Sequence, residues 1–282
     1  MATPRDHIIR QLSPLYGKQE ADLISGMLLE KITGLSKQSL RQLTAADLSD
    51  KQQWQLEEML EQLLKHRPIQ YVLNEAWFQE MPFFVDERVL IPRPETEELV
   101  EWIIRDYKLA DAPLILDIGS GSGCIPVSLA KKLPAARIYS CDSSAAALTV
   151  AALNASRLHA DIHWLELDFT QEASWSSLPN PTCIVSNPPY IPKKEAATMS
   201  RHVVEFEPGM ALFVPDEAPY LFYTAIARFA MERCQPGTGV YLEIHESHAV
   251  GVRQVLEQTG LRQVEIRNDM QGKERMIKAI RP

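Results

Sequence analysis

At 282 residues the chain has the length of about two domains at ~150 residues each, enough to bury a substantial core. It is 45% hydrophobic and 23% charged, and 29 basic against 37 acidic side chains leave a net charge of −8. That balance disfavours indiscriminate binding to bare nucleic acid. The longest charge-free stretch, Ala173 to Pro192, carries prolines at 179, 181, 188, 189 and 192, which is not the pattern of a membrane helix. The amino terminus meets Arg5 before any apolar run, so no secretory signal is read there. Cys124, Cys141, Cys183 and Cys234 lie far apart with no CxxC pair, which excludes the usual zinc and dithiol spacings and predicts reduced thiols in a cytoplasmic protein.

Residues 1 to about 72 read as helical. Thr3-Pro4 is a cap followed by a first-turn proline, and Gly17 closes that segment. A second helix is predicted from Gln19 to Ile32 with Gly34 as its stop, and Ser36 and Thr44 have the character of caps on short helical turns. Asp50 is expected to cap a longer helix striped by Leu56, Met59, Leu60, Leu63 and Leu64. With 9 basic and 10 acidic side chains over residues 1–75, this region reads as a nearly neutral helical domain for substrate docking. The pattern changes over residues 76–92. Trp77-Phe78, Phe83 to Val85 and Val89 to Ile91 suggest short strands, a linking hairpin around a Met81-Pro82 turn.

Residues 93–282 alternate. Pro92-Arg93-Pro94 precedes a helix with Leu99, Trp102 and Ile103 on one face. Strands are predicted at 113–118, 137–141, 162–167, 182–186 and 240–244, interleaved with helices from about Cys124, up to Leu158, over 220–234 and over 250–259. Such alternation predicts an α/β, doubly wound and mostly parallel sheet. The closing strands, 263–267 and 275–280, lie too close for a crossover helix, so one is expected to run antiparallel.

Strand 113–118 runs into Gly119-Ser120-Gly121-Ser122-Gly123 with Asp117 two residues before the first glycine. Glycines allow positive φ and close approach of backbone to ligand. A dinucleotide fingerprint would need a glycine at 124, where cysteine stands. The spacing instead resembles the S-adenosylmethionine loop of class I methyltransferases, whose ligand has a charged amino-acid end suited to Asp117 and exposed backbone groups. Asp142 ends the next strand, where a carboxylate can accept from ribose hydroxyls. Asp168-Phe169 follows the third, where a carboxylate can take an adenine amino group and a ring can pack on the base.

The fourth strand ends in Asn187-Pro188-Pro189-Tyr190. Consecutive prolines hold the backbone extended and end ladder pairing. Asn187 and the Pro188 carbonyl then present two oxygen acceptors beside an aromatic face, a match for a planar NH2 group such as a base amine or a Gln or Asn amide. The histidines at 159, 163, 245 and 248 do not complete a metal-ligand pattern, so no metal is expected.

Together the NPPY tetrapeptide, the loop Asp117–Pro126 and the segment Leu90–Glu101 resemble the HemK/PrmC family. Phe206-Glu207-Pro208 with Ala211-Leu212, and Asp269 through Gly272 to Glu274-Arg275, extend the resemblance over nearly the whole chain. It implies a class I, Rossmann-like methyltransferase with a seven-stranded sheet and a small helical-bundle domain before it. It also implies transfer of methyl from S-adenosyl-L-methionine, leaving S-adenosyl-L-homocysteine, to a glutamine side chain of peptide chain release factors. The expected cofactor contacts are Asp117, Gly119, Ser120, Gly121, Ser122, Gly123, Asp142, Asp168, Phe169 and Asn187. Asn187, Pro188, Pro189 and Tyr190 would bind the glutamine. Phe169 stands where tryptophan is frequent, and His245-Glu246-Ser247-His248 lacks a glutamine often found there. The rival with the same NPPY chemistry is a DNA adenine methyltransferase, which needs basic surface to hold DNA; residues 76–282 carry 20 basic against 27 acidic side chains. The expected protein is a monomer with release factor as partner, binding neither nucleic acid nor membrane directly.

Overall fold

The computed structural model describes residues 3–282, which fall into two compact units. One runs through Glu75 and takes in Ser200–Phe206; the other comprises Ala76–Met199 and Glu207–Pro282. In chain order the first unit contains helices α1 (Pro4–Thr33), α2 (Lys37–Leu40), α3 (Asp50–Leu64) and α4 (Ile69–Leu73). Thr3 caps α1 through a reciprocal box with Asp6, and Gly17, at φ 75° and ψ 164°, breaks the helical path where the sequence placed a stop. Ser36 caps α2, and Thr44 makes a box with Asp47 on a 3-10 turn. Ser49, not Asp50, is the cap of α3: its hydroxyl accepts from the Gln52 amide, and Asp50 becomes the first helical residue. Ile8, Leu12, Leu28, Leu60 and Leu63 are among the side chains of this unit's wholly buried core.

The second unit opens with the antiparallel pair β1 (Ala76–Phe78) and β2 (Met81–Phe83). Its turn is Gln79-Glu80, both at positive φ, and Met81-Pro82 lies within β2. This corrects the expected Met-Pro turn: the two-residue loop requires left-handed backbone at both positions, and here it is reached without glycine or asparagine. Residues 89–91 form no strand. Helix α5 (Pro94–Tyr107) then leads to β3 (Leu114–Ile118), α6 (Cys124–Lys132), β4 (Arg137–Asp142), α7 (Ala145–Arg157), β5 (His163–Glu166) and β6 (Cys183–Ser186). A two-stranded parallel pair follows, β7 (Ile191–Pro192) and β8 (Phe213–Val214); of the short helices between them in the sequence, α8 (Arg201–Val204) belongs to the first unit and α9 (Gly209–Leu212) to the second. The chain finishes with α10 (Leu221–Arg233), β9 (Gly239–Glu243), α11 (Ala249–Thr259), β10 (Arg262–Asn268) and β11 (Glu274–Ile280).

Seven strands form one sheet in the order β10-β11-β9-β6-β3-β4-β5. All neighbouring pairs from β9 to β5 are parallel, and β11 runs antiparallel to both β9 and β10. Successive buried residues alternate between two cores: Cys183 and Val185 pack with Trp102 and Leu99 of α5, and Ile184 with Phe229 and Tyr223 of α10. The sheet is therefore covered on both faces, which is why its central strands are apolar throughout. The winding reverses between β3 and β6, so the crevice for a ligand opens at their carboxyl ends. Among the described residues no helix is long and apolar enough to cross a membrane.

Candidate active site

A cavity of about 400 Å³ lies at that switch point. Gly119 to Ser122, Asp142, Asp168, Phe169 and Asn187 to Pro189 line it, so the structure brings most of the expected residues together. Asp117, Gly123 and Tyr190 are not on its wall.

The glycine loop is built from β3 into α6. Gly119, Gly121 and Gly123 have φ of 88°, 51° and 80°. A Cβ at Gly119 or Gly121 would meet nothing within 4 Å, whereas one at Gly123 would stand 3.1 Å from Ala151. The first two thus leave space open for a ligand, and the third permits close packing on α7. The loop amides are spent inward: Gly119 and Ser120 donate to the Cys141 carbonyl, Gly121 to Asp142 Oδ2 and Gly123 to the Ser120 carbonyl. Two of the loop carbonyls are occupied as well, Ser120 by the Gly123 amide and Ser122 by Asn154 Nδ2.

Asp117 lies wholly buried beneath this loop. Its Oδ2 accepts from the Ser140 hydroxyl at 2.6 Å, Ser140 is in turn 2.6 Å from Ser120 Oγ, and Oδ1 has no partner. Burial pushes the carboxyl up to about 8, offset in part by the Ser140 hydrogen bond. An orphaned buried carboxylate oxygen beneath this loop fits a ligand bearing positive charge. Asp142 accepts from Gly121 and Ser144 amides, one on each oxygen, which fixes its carboxylate and leaves lone pairs for hydroxyl donors. Asp168 Oδ1 accepts from the Thr170 amide and hydroxyl, holding the carboxyl below its usual range and so ionised. Phe169 is 5% exposed, packed edge-on against Phe229 at 5.3 Å and tilted against Trp175 at 5.7 Å. These groups suit S-adenosylmethionine: acceptors for an ammonium, a fixed carboxylate for ribose hydroxyls, and a carboxylate and ring for adenine.

At the carboxyl end of β6, Ser186 donates to the Ile118 carbonyl and ties this corner to the glycine strand. Asn187 Nδ2 donates to Thr96 Oγ1 at 3.1 Å, and the Thr96 hydroxyl donates to Glu243 Oε2 at 2.5 Å. The Tyr190 hydroxyl donates to the other oxygen, Oε1, at 3.1 Å. Tyr190 therefore supports the corner from behind, with its ring 5.9 Å from that of His245, instead of facing the cavity. Thr96 and Glu243 were not anticipated. Thr96 sits in the first turn of α5, where hydroxyls ordinarily serve as caps, and Glu243 ends a buried strand.

Two further anchors join distant segments. Glu207 is buried and accepts from the Ile91 amide at 3.1 Å and from Arg93 at 2.5 Å, which explains why the segments around 90–101 and 206–212 belong to one pattern. Asn154 on α7 receives the Phe84 amide on Oδ1 and donates to the Phe84 and Ser122 carbonyls. It pins the chain just after β2 to the glycine loop. No group of three metal-ligating side chains occurs among the described residues.

Residues 6–73 match the PrmC N-terminal domain and residues 99–205 the methyltransferase small domain. A release factor glutamine methyltransferase of Flavobacterium psychrophilum is 37% identical over 97% of this chain and 96% of its own length. One of Bacteroides thetaiotaomicron is 36% identical over 98% of each. The human MTRF1L release factor glutamine methyltransferase is 34% identical over 85% of this chain and 75% of its own. In fold alone, the chain is similar to the hMettl16 catalytic domain (TM-score 0.55, 14% identity, 82% of this chain and 81% of that one). A methyltransferase from Pyrococcus furiosus gives a TM-score of 0.52 at 13% identity, covering 79% of this chain and 98% of that one. With a third of its residues shared along nearly its full length, the chain belongs to the release factor glutamine methyltransferase family and has the class I methyltransferase fold.

Proposed function

We propose that this protein transfers a methyl group from S-adenosylmethionine to the side-chain amide nitrogen of a glutamine in a class 1 peptide chain release factor, releasing S-adenosylhomocysteine. The observation that carries this reading is Asn187: its amide nitrogen is committed to Thr96, which leaves Oδ1 as its acceptor, and Asn187 and Pro188 both line the cavity. Two oxygen acceptors match the two N–H donors of a primary amide. The cofactor, when bound, supplies a methyl carbon on a positively charged sulfur.

An amide nitrogen is a weak nucleophile because its lone pair is delocalised into the carbonyl. Holding both N–H groups on fixed oxygens turns that lone pair toward the methyl carbon. As positive charge develops on that nitrogen, Asn187 Oδ1 and the Pro188 carbonyl would bind its N–H groups more strongly. One N–H proton then leaves to water; the carboxylates on the cavity wall, Asp142 and Asp168, belong to the cofactor's corner. Alignment and proximity supply most of the rate.

The first unit is assigned to docking the release factor, because a single glutamine offers too little surface for selectivity. Its near-neutral helices and the family match over residues 6–73 support that assignment. A monomer acting in the cytoplasm, without nucleic acid or membrane contact, completes the reading. The test is methyl transfer from labelled cofactor to purified release factor, with the target Gln→Ala release factor and duplex DNA as controls. Label in the intact release factor only is expected; equal label in the Ala form, or label in DNA, overturns the proposal.

A further inference from the structure

We infer that Thr96 and Glu243 set the hydrogen-bonding polarity of the acceptor site, holding Asn187 so that it offers oxygen to the substrate and its NH2 group to the protein. Both act as positioning residues, and the inference rests on the glutamine reading above.

The chain of bonds has one direction. Glu243 is 1% exposed and Thr96 is 2% exposed. As a carboxylate, Glu243 accepts only, and its two oxygens take the Thr96 and Tyr190 hydroxyls separately. Thr96 has a single O–H, already given to Glu243, so toward Asn187 it can only accept. Only the Nδ2 end of the Asn187 amide can face it. Oδ1, at the other end, has no hydrogen-bond partner among the described residues. If Thr96 could donate instead, the amide could turn over, and the site would offer N–H donors to a carbonyl or carboxylate. The same glutamate thus restrains the first and last residues of the NPPY tetrapeptide, and through them the Pro188 carbonyl between.

Burying an acceptor-only carboxylate here has a cost that neutral packing would avoid. Burial raises the carboxyl above its usual range, while Thr96, Tyr190 and the nearby Arg275 charge favour its ionised form; Glu95 opposes them.

The test uses Glu243→Gln, which keeps the shape but adds a donor, together with Thr96→Val and Thr96→Ser. Each is assayed on release factor for kcat and KM, for cofactor affinity by titration, and for inhibition by release factor whose target Gln is replaced by Glu. In the wild type the Glu form should inhibit poorly, because its carboxylate meets two acceptors. Glu243→Gln and Thr96→Val should lower kcat about 10- to 100-fold, the factor expected for misplacing one buried hydrogen-bonded group. Cofactor affinity should stay within about threefold, because Asp117, Asp142 and Asp168 take their hydrogen bonds from other residues than Thr96 and Glu243. Discrimination between Gln and Glu forms should narrow about tenfold in both variants, and Thr96→Ser should restore the wild-type values. A purely structural role predicts lower thermal stability with unchanged discrimination, and that result overturns the inference. Wild-type kcat and discrimination in folded Glu243→Gln overturn it equally. A wild-type enzyme that fails to methylate the intact release factor overturns the glutamine reading itself, a failure visible before any variant is made.

Discussion

Asp117 shows how one side chain can be costly to the fold and useful to the site. Its carboxyl rises from an ordinary 3.8 to about 8 because burial penalises the charged form, so the folded chain binds this proton more tightly than the unfolded chain. Stability contributed by the protonated form is therefore present below the unfolded value and is lost as pH rises from about 4 to about 8. Asp117→Asn removes that dependence. The melting temperature of the ligand-free variant, relative to wild type, should climb across this interval and level off above it, as read by calorimetry at several pH values. The same variant should bind S-adenosylmethionine more weakly at pH 8, since a buried carboxylate beside a cationic ligand is worth more than an amide. Asn187→Ala separates the two corners differently. It should lower kcat by about 100-fold or more, comparable to losing a preorganised transition-state contact, with cofactor affinity changed only a few-fold. Comparable losses in both quantities would move Asn187 from the acceptor to the cofactor.

Among the elements, the glycine loop has two kinds of glycine, and substitution should tell them apart. Gly123→Ala puts a Cβ 3.1 Å from Ala151 at φ 80°, so it should cost stability, about 1–3 kcal/mol by thermal unfolding. Gly121→Ala meets no protein atom, pays about 1 kcal/mol for left-handed backbone, and should show its larger effect as weakened cofactor binding. Asn154→Ala strips the Phe84 amide and the Phe84 and Ser122 carbonyls of a shared partner; a loss of about 2–4 kcal/mol in denaturant unfolding is expected. The glycine loop was legible because strand, turn and helix signals are contiguous over 114–132, and Asp142, Asp168 and Asn187 were legible because each follows a recognisable strand. Thr96 and Glu243 were not, being 147 residues apart and joined only by the fold; Asn154 and Phe84 are separated by 70. Local misreadings have local causes. Gln79 and Glu80 turn the hairpin without the residues that usually announce such a turn, and Ser49-Asp50 offers two adjacent caps of which the backbone uses the first. For Tyr190 the sequence shows a ring beside the prolines but not the buried glutamate that takes its hydroxyl.

For the molecule as a whole, the acidic charge falls almost entirely after residue 75, where 20 basic side chains face 27 acidic ones. A groove for a phosphate backbone draws on clustered Lys and Arg, and its affinity is strongest at low salt. Excess duplex DNA should therefore leave methyl transfer to release factor unchanged even at low ionic strength. Selectivity has to come instead from protein surface outside the NPPY corner. Leu23 and Trp54, in the helices of the first unit, are each 70% exposed, unusual for such large apolar side chains. If this unit docks the release factor, Trp54→Ala and Leu23→Ser should raise KM for the full-length substrate severalfold, as loss of peripheral to central interface contacts does. Neither residue lines the cofactor cavity, so cofactor affinity and turnover of a short glutamine peptide should stay at wild-type values. Full-length and peptide substrates losing activity in parallel would assign the first unit to stability; a KM effect confined to the full-length protein assigns it to recognition.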